Sequence, residues 1–94
     1  MSHPLASLHE SGNHAVLVVS HMPAAPPGKI YEVWVLRGGR PVPTDALFNA
    51  SSAGDATVAV PSSLHGISAV LVTAERLGGA KVPTMKPLIA APLG

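Results

Sequence analysis

Ninety-four residues make one domain, and a chain of this size buries only somewhat over ~60% of the surface it exposes when unfolded. Apolar residues form 47% of it but aromatics only 3%, so Val, Ala and Leu fill a thin core in which each large side chain counts. Six Lys/Arg against five Asp/Glu, scattered along the chain, leave no basic footprint for nucleic acid, and the lack of Cys excludes disulfides, thiolate zinc sites and a Cys nucleophile.

Leu5–His9 reads as a first strand, followed by polar residues and a Gly12-Asn13 turn, and His14–Ser20 as a second. In the second, Ala15, Leu17 and Val19 face one way and Val16 and Val18 the other, so both faces are expected to be covered. His21–Gly28 contains Pro23, Pro26, Pro27 and Gly28, the composition of a stiff connector able to cross between sheets.

Lys29–Arg37 is the organising strand. It holds the only Trp and the only Tyr, and both of its alternating faces are largely apolar, which predicts a central position. Tyr31 and Trp34 are three apart, so in an extended chain they point to opposite sides of the sheet: one anchors the core and the other lies on an outer face. Gly38-Gly39 has the form of a tight hairpin turn with positive φ. The returning arm, Arg40–Phe48, contains Pro41 and Pro43, whose missing N–H groups predict an edge strand, and Phe48 is expected to turn back into the core.

Asn49–Asp55 is a polar loop, Ala56–Val60 a further strand, and Ser62–Gly66 a turn, or one helical turn, with Leu64 as a plug. Ile67–Glu75 is the second central strand. Arg76–Met85, with Gly78-Gly79 and Pro83-Thr84, is a loop, and Lys86–Ala91 the last strand. Without crossover helices, the prediction is an all-β, two-sheet antiparallel Greek-key (immunoglobulin-like) sandwich of about seven strands over residues 4–93.

Candidate chemistry is thin. His3, His9, His14, His21 and His65 match no metal-ligand spacing, even with Met22 and Met85 as soft ligands, so no metal site or cofactor is expected. Ser62, Ser63, His65 and Asp55 supply the residue types of a hydrolase triad without a nucleophile elbow, and no catalytic residue is assigned. Glu32 and Glu75, in or ending the central strands, are expected to pair with Arg37, Arg76 or Lys81, or to cap loop amides. The longest apolar runs fall far short of the ~18 residues of a membrane span, and neither a span nor an export signal is expected within these residues.

The order of motifs is more informative. Tyr31-Glu-Val-Trp34 follows the Pro-rich loop, and Val72-Thr73-Ala74-Glu75 leads through Gly78-Gly79 to Pro83-Thr84 and Lys86-Pro87-Leu88. This series resembles the C-terminal, extracytoplasmic domain of the anti-sigma-K factor (RskA-like) family, over roughly Leu5 to Leu93. The chain departs from the family pattern in having Arg76 where Pro commonly follows the motif Glu, and Asp45-Ala46-Leu47 where a Gly commonly precedes the Phe.

The resemblance implies a non-catalytic sensor domain on the extracytoplasmic (periplasmic) side of a bacterial membrane. It further implies a cytoplasmic helical domain that holds a sigma factor and a single membrane span, both absent from these residues, and release of the sigma factor after cleavage by a site-1 type protease and intramembrane proteolysis. Tyr31, Trp34, Glu75, Gly78, Gly79, Pro83 and Thr84 are the family-motif residues, with roles in holding the fold weighed above roles in contact. The expected partner surface is the Arg76–Thr84 loop with whichever of Tyr31 and Trp34 faces outward. The rival reading is a stand-alone exported sandwich that binds a small ligand, a metal or a second copy of itself as a homodimer; a weaker third is a hydrolase.

Overall fold

A computed structural model describes residues 4–61 and 63–93. Seven strands run through them: β1 Leu5–Ser11, β2 His14–Ser20, β3 Lys29–Arg37, β4 Arg40–Phe48, β5 Ala56–Val60, β6 Ile67–Arg76 and β7 Ile89–Pro92. Every pairing is antiparallel, and they form a three-stranded sheet in the order β1-β2-β5 and a four-stranded sheet in the order β4-β3-β6-β7. The all-β, two-sheet sandwich expected from the sequence is the fold observed.

β3 and β6 are the inner strands of the larger sheet, as their two apolar faces require. β4 is an edge. The Gly38-Gly39 turn has both residues at positive φ, 58° and 76°, and joins Arg37 to Arg40 in the two-residue hairpin form. Pairs alternate outward from that turn, so Pro41 and Pro43, opposite Leu36 and Trp34, stand where their nitrogens face away from β3. The Pro-rich segment after β2 carries the chain from the smaller sheet to the larger, and Tyr31 fastens it by donating its hydroxyl to the Pro23 carbonyl at 2.6 Å.

The core lies between the sheets. Ala15, Leu17, Val19, Val58 and Val60 meet Tyr31, Val33, Val35, Val70, Val72, Ile89 and Ala91, with Met22 buried among them. Phe48 packs against this cluster and tilts over Tyr31 with ring centroids 5.4 Å apart. Leu64 also packs on it.

Several boundaries and faces differ from expectation. β1 runs on to Ser11, because a Gly12-Asn13 hairpin pairs Ser11 with His14 and keeps the polar residues in the ladder. Ser62 lies outside the described residues, and the stretch after it forms a turn at His65-Gly66. The last strand begins at Ile89 and not Lys86, since Pro87 has no N–H to give and pairing with β6 starts at Val72–Ile89. The outer face of β2 is open: Val16 is half-buried and Val18 is 36% exposed, because nothing among the described residues crosses that side of the three-stranded sheet.

Candidate site: a strapped outer face on the larger sheet

The outer face of the four-stranded sheet is covered at its centre, and its chemistry explains how. Opposed residues share a face, so the pairs Glu32–Thr73 and Trp34–Leu71 place Ile30, Glu32, Trp34, Leu71, Thr73 and Glu75 on the side away from the core. Trp34 and Thr73 are nevertheless 0% exposed and Glu75 is fully buried. The cover is the segment between β6 and β7, a strap pinned to the sheet at two points.

Both pins are carboxylates. Glu32 Oε1 accepts the Ala80 N–H at 2.7 Å. Glu75 Oε2 accepts the Thr84 N–H at 3.1 Å, and its Oε1 accepts the Thr84 hydroxyl at 2.7 Å. Between them runs a chain of bonds across the sheet: Trp34 Nε1–H donates to Thr73 Oγ1 at 2.8 Å, and that hydroxyl donates to Glu75 Oε2 at 2.6 Å. Among the described residues no buried side-chain nitrogen or oxygen lacks a partner. Buried polar networks stabilise only when so completed.

The start of the strap is equally specific. The Gly79 N–H donates to the Arg76 carbonyl at 2.9 Å and Arg76 Nε–H to the Gly79 carbonyl at 3.2 Å, closing the turn that contains Gly78. Gly79 has φ +85°, and a Cβ there would stand 3.1 Å from Glu32 Oε1 and 3.3 Å from Leu47 Cδ2. A larger residue would be strained at this φ and would push the carboxylate and Leu47 back by a few tenths of an ångström, so Gly suits the close approach of the strap. Pro83 is half-buried between the two pins.

Six of the seven family-motif residues, Trp34, Glu75, Gly78, Gly79, Pro83 and Thr84, thus belong to one construction. Tyr31 lies on the opposite face, in the core. Trp34 is the aromatic on the outer face, but the strap seals it, so any surface there is offered by the strap itself. Glu32 and Glu75 cap loop amides, while Arg37 donates to the carbonyls of His65 and Ser63 at 2.6 and 3.4 Å.

The sequence pointed to Glu32 and Glu75 as caps of loop amides but not to Thr73 as the link between Trp34 and Glu75. The available signal was a polar residue at an alternate position of each central strand, on the same face as the Trp.

Burial and bonding push the two carboxyls apart. Burial raises Glu32 above the usual carboxylate range, opposed by the Ala80 N–H and reinforced by the charges of Glu75 and Asp45. Burial alone would raise Glu75 too. It is outweighed by the hydroxyls of Thr73 and Thr84, the Thr84 N–H and the Lys29 charge, which together hold that carboxyl below its ordinary value. Burial pushes the Tyr31 phenol up.

The neighbouring edge is irregular. Between Glu32 and Trp34 the β3–β4 register slips, so that Thr44, Asp45 and Ala46 stand against Val33 alone. The Thr44 hydroxyl donates to the Val33 carbonyl at 2.7 Å, supplying the bond that the bulge removes, and Asp45 sits at φ 67°. A positive φ is the conformation for which Gly is favoured and Asp tolerated.

The other candidates do not converge. Among the described residues no three of His, Asp and Glu stand together as a metal cluster. Met22 is in the core, and Met85 Sδ accepts the Ala74 N–H at 3.4 Å. The Ser63 hydroxyl bonds with the Asn13 amide and accepts the His65 N–H, while Asp55 closes its own loop with Ser51.

The fold and site define a two-sheet β-sandwich whose characteristic residues hold a strap over one outer face. The chain belongs to the family described as anti-sigma-K factor rskA, C-terminal, whose pattern matches residues 5–88. That membership supports a regulatory, anti-sigma role in a generally non-catalytic family, with a sigma factor as the partner the family implies. Comparison with curated proteins and with solved structures gives no match.

Proposed function

We propose that this domain is the extracytoplasmic part of a membrane-anchored anti-sigma factor, and that it controls release of the sigma factor by governing the first, site-1 type cleavage. One observation carries this reading: the first strand of the fold is lightly covered while its centre is not. β1 is exposed at six of its seven positions and pairs only with β2, whereas β3 and β6 are buried along most of their length. β1 and β7 border one groove of about 510 Å³, lined by Ala6, Leu8, Glu10, Ile89 and Ala91 among others.

Local opening limits proteolysis when reclosing is fast, so a domain that frays at β1 while its core stays folded can expose the segment leading to a membrane anchor without unfolding.

Immunoblotting of fractionated native cells with an antibody to this domain tests the proposal. The expected antigen is larger than this chain, sediments with membranes, and is trimmed by protease added outside the inner membrane. An antigen of this chain's size in a soluble or secreted fraction would refute it and favour a stand-alone binding module.

A further inference from the structure

We infer that Met85 is an oxidation site that latches the strap, and that its conversion to the sulfoxide by a peroxide unlatches it. β7 stops pairing at Val72, so the Ala74 N–H projects from the edge of β6 with no strand to receive it. The Met85 thioether takes that place at 3.4 Å. Sulfur is a weak acceptor, so the latch is a soft one. Met85 is 38% exposed, whereas Met22 is 2% exposed in the core, and the chain contains no Cys to intercept oxidant.

The chemistry balances with one peroxide per thioether. A sulfur lone pair attacks one peroxide oxygen, the O–O bond breaks, sulfur loses two electrons, and the departing hydroxide takes a proton to leave as water. The new oxygen can point toward Ala74, into the neighbouring groove or out to water, since Met85 is partly exposed. Toward Ala74, it takes the N–H in place of sulfur and sets the sulfur back by about the length of the S=O bond. Toward the groove lined by Pro23, Tyr31 and Leu88, a polar S=O displaces apolar contact, and toward water it draws the side chain off the N–H. In each case Met85 leaves its seat, and the next residue back is Thr84, which gives Glu75 two of its three hydrogen bonds.

As a release signal, this latch rests on the regulatory reading above; as a property of the chain it does not. The test is on the folded 94-residue chain, treated with dilute hydrogen peroxide, mapped by peptide mass spectrometry and followed by amide hydrogen exchange. One oxygen is expected on Met85 well before Met22. The Ala74, Ala80 and Thr84 amides should then exchange on the order of ten times faster, equivalent to about 1.4 kcal/mol of local stability.

Methionine sulfoxide reductase should restore the slow rate, and in Met85→Leu peroxide should leave exchange at Ala80 and Thr84 unchanged. Oxidation of Met85 with unchanged exchange at Ala80 and Thr84, or equal oxidation rates for Met85 and Met22, would overturn the inference. The localisation experiment decides the regulatory reading separately, so the two can fail independently.

Discussion

Trp34 and Glu75 carry the residue-scale consequences of the strap. Trp34→Ala removes the largest fully buried side chain and should cost about 3–5 kcal/mol in denaturant unfolding, while Trp34→Phe, which keeps most of the volume but loses the bond to Thr73, should cost about 1–2 kcal/mol. Melting of Trp34→Ala with the parent would contradict its place beneath the strap. Glu75→Leu leaves two hydroxyls and an amide without their acceptor and should cost roughly 3 kcal/mol or more, whereas Glu75→Gln keeps an oxygen for part of the network and should cost less. The pH profile separates the two carboxyls. Glu32 is raised, so the native state binds its proton first and stability rises as pH falls from Glu32's raised value toward the ordinary carboxylate range. Glu75 is lowered, so below that range the unfolded state binds its proton first and stability falls. Urea unfolding across mildly acid pH should therefore pass through a maximum; Glu32→Gln should flatten its upper side and Glu75→Gln its lower side.

At the scale of elements, β4 holds the most specific demands. Asp45 occupies a left-handed position at a cost of roughly 1–2 kcal/mol, against about 0.5–1 kcal/mol for the greater unfolded freedom of Gly. Asp45→Gly should thus raise stability by up to about 1 kcal/mol, helped by removal of a negative charge near Glu32; a loss of stability would mean that the Asp side chain holds the bulge. Pro41 and Pro43 blunt the outward edge, so replacing both with Val should produce concentration-dependent association in sedimentation while the monomer fold is retained. The strands were readable because their signals are local: alternation in β3 and β6, paired prolines in β4, Gly-Gly between them. The bulge was not, since three residues opposing Val33 depend on which partner the chain meets. The open outer face of β2 was also hidden, because Val16 and Val18 look the same in a sequence whether or not something lies over them.

For the whole molecule, stability should be graded from the centre outward. Hydrogen exchange is expected to be slowest at β3 and β6, faster at β7, and fastest at β1 and in residues 77–88 apart from the bonded Ala80 and Thr84 amides; uniform protection would mean that the domain opens only as a unit. The sequence motifs named residues whose shared construction only the fold reveals. Tyr-x-x-Trp, Thr-x-Glu, Gly-Gly and Pro-Thr are far apart along the chain, and only the pairing of β3 with β6 shows that most of them meet over one face, with Tyr31 alone turned to the other. Trp34 gives the molecule a further property. It is the sole indole, shut away from water with its N–H bonded to Thr73, so its emission should be blue-shifted while the cover is in place and move to the red when water reaches it. The domain therefore carries its own fluorophore beneath the strapped face, and peroxide, acid or a bound partner can be watched acting there on an unlabelled chain in a cuvette.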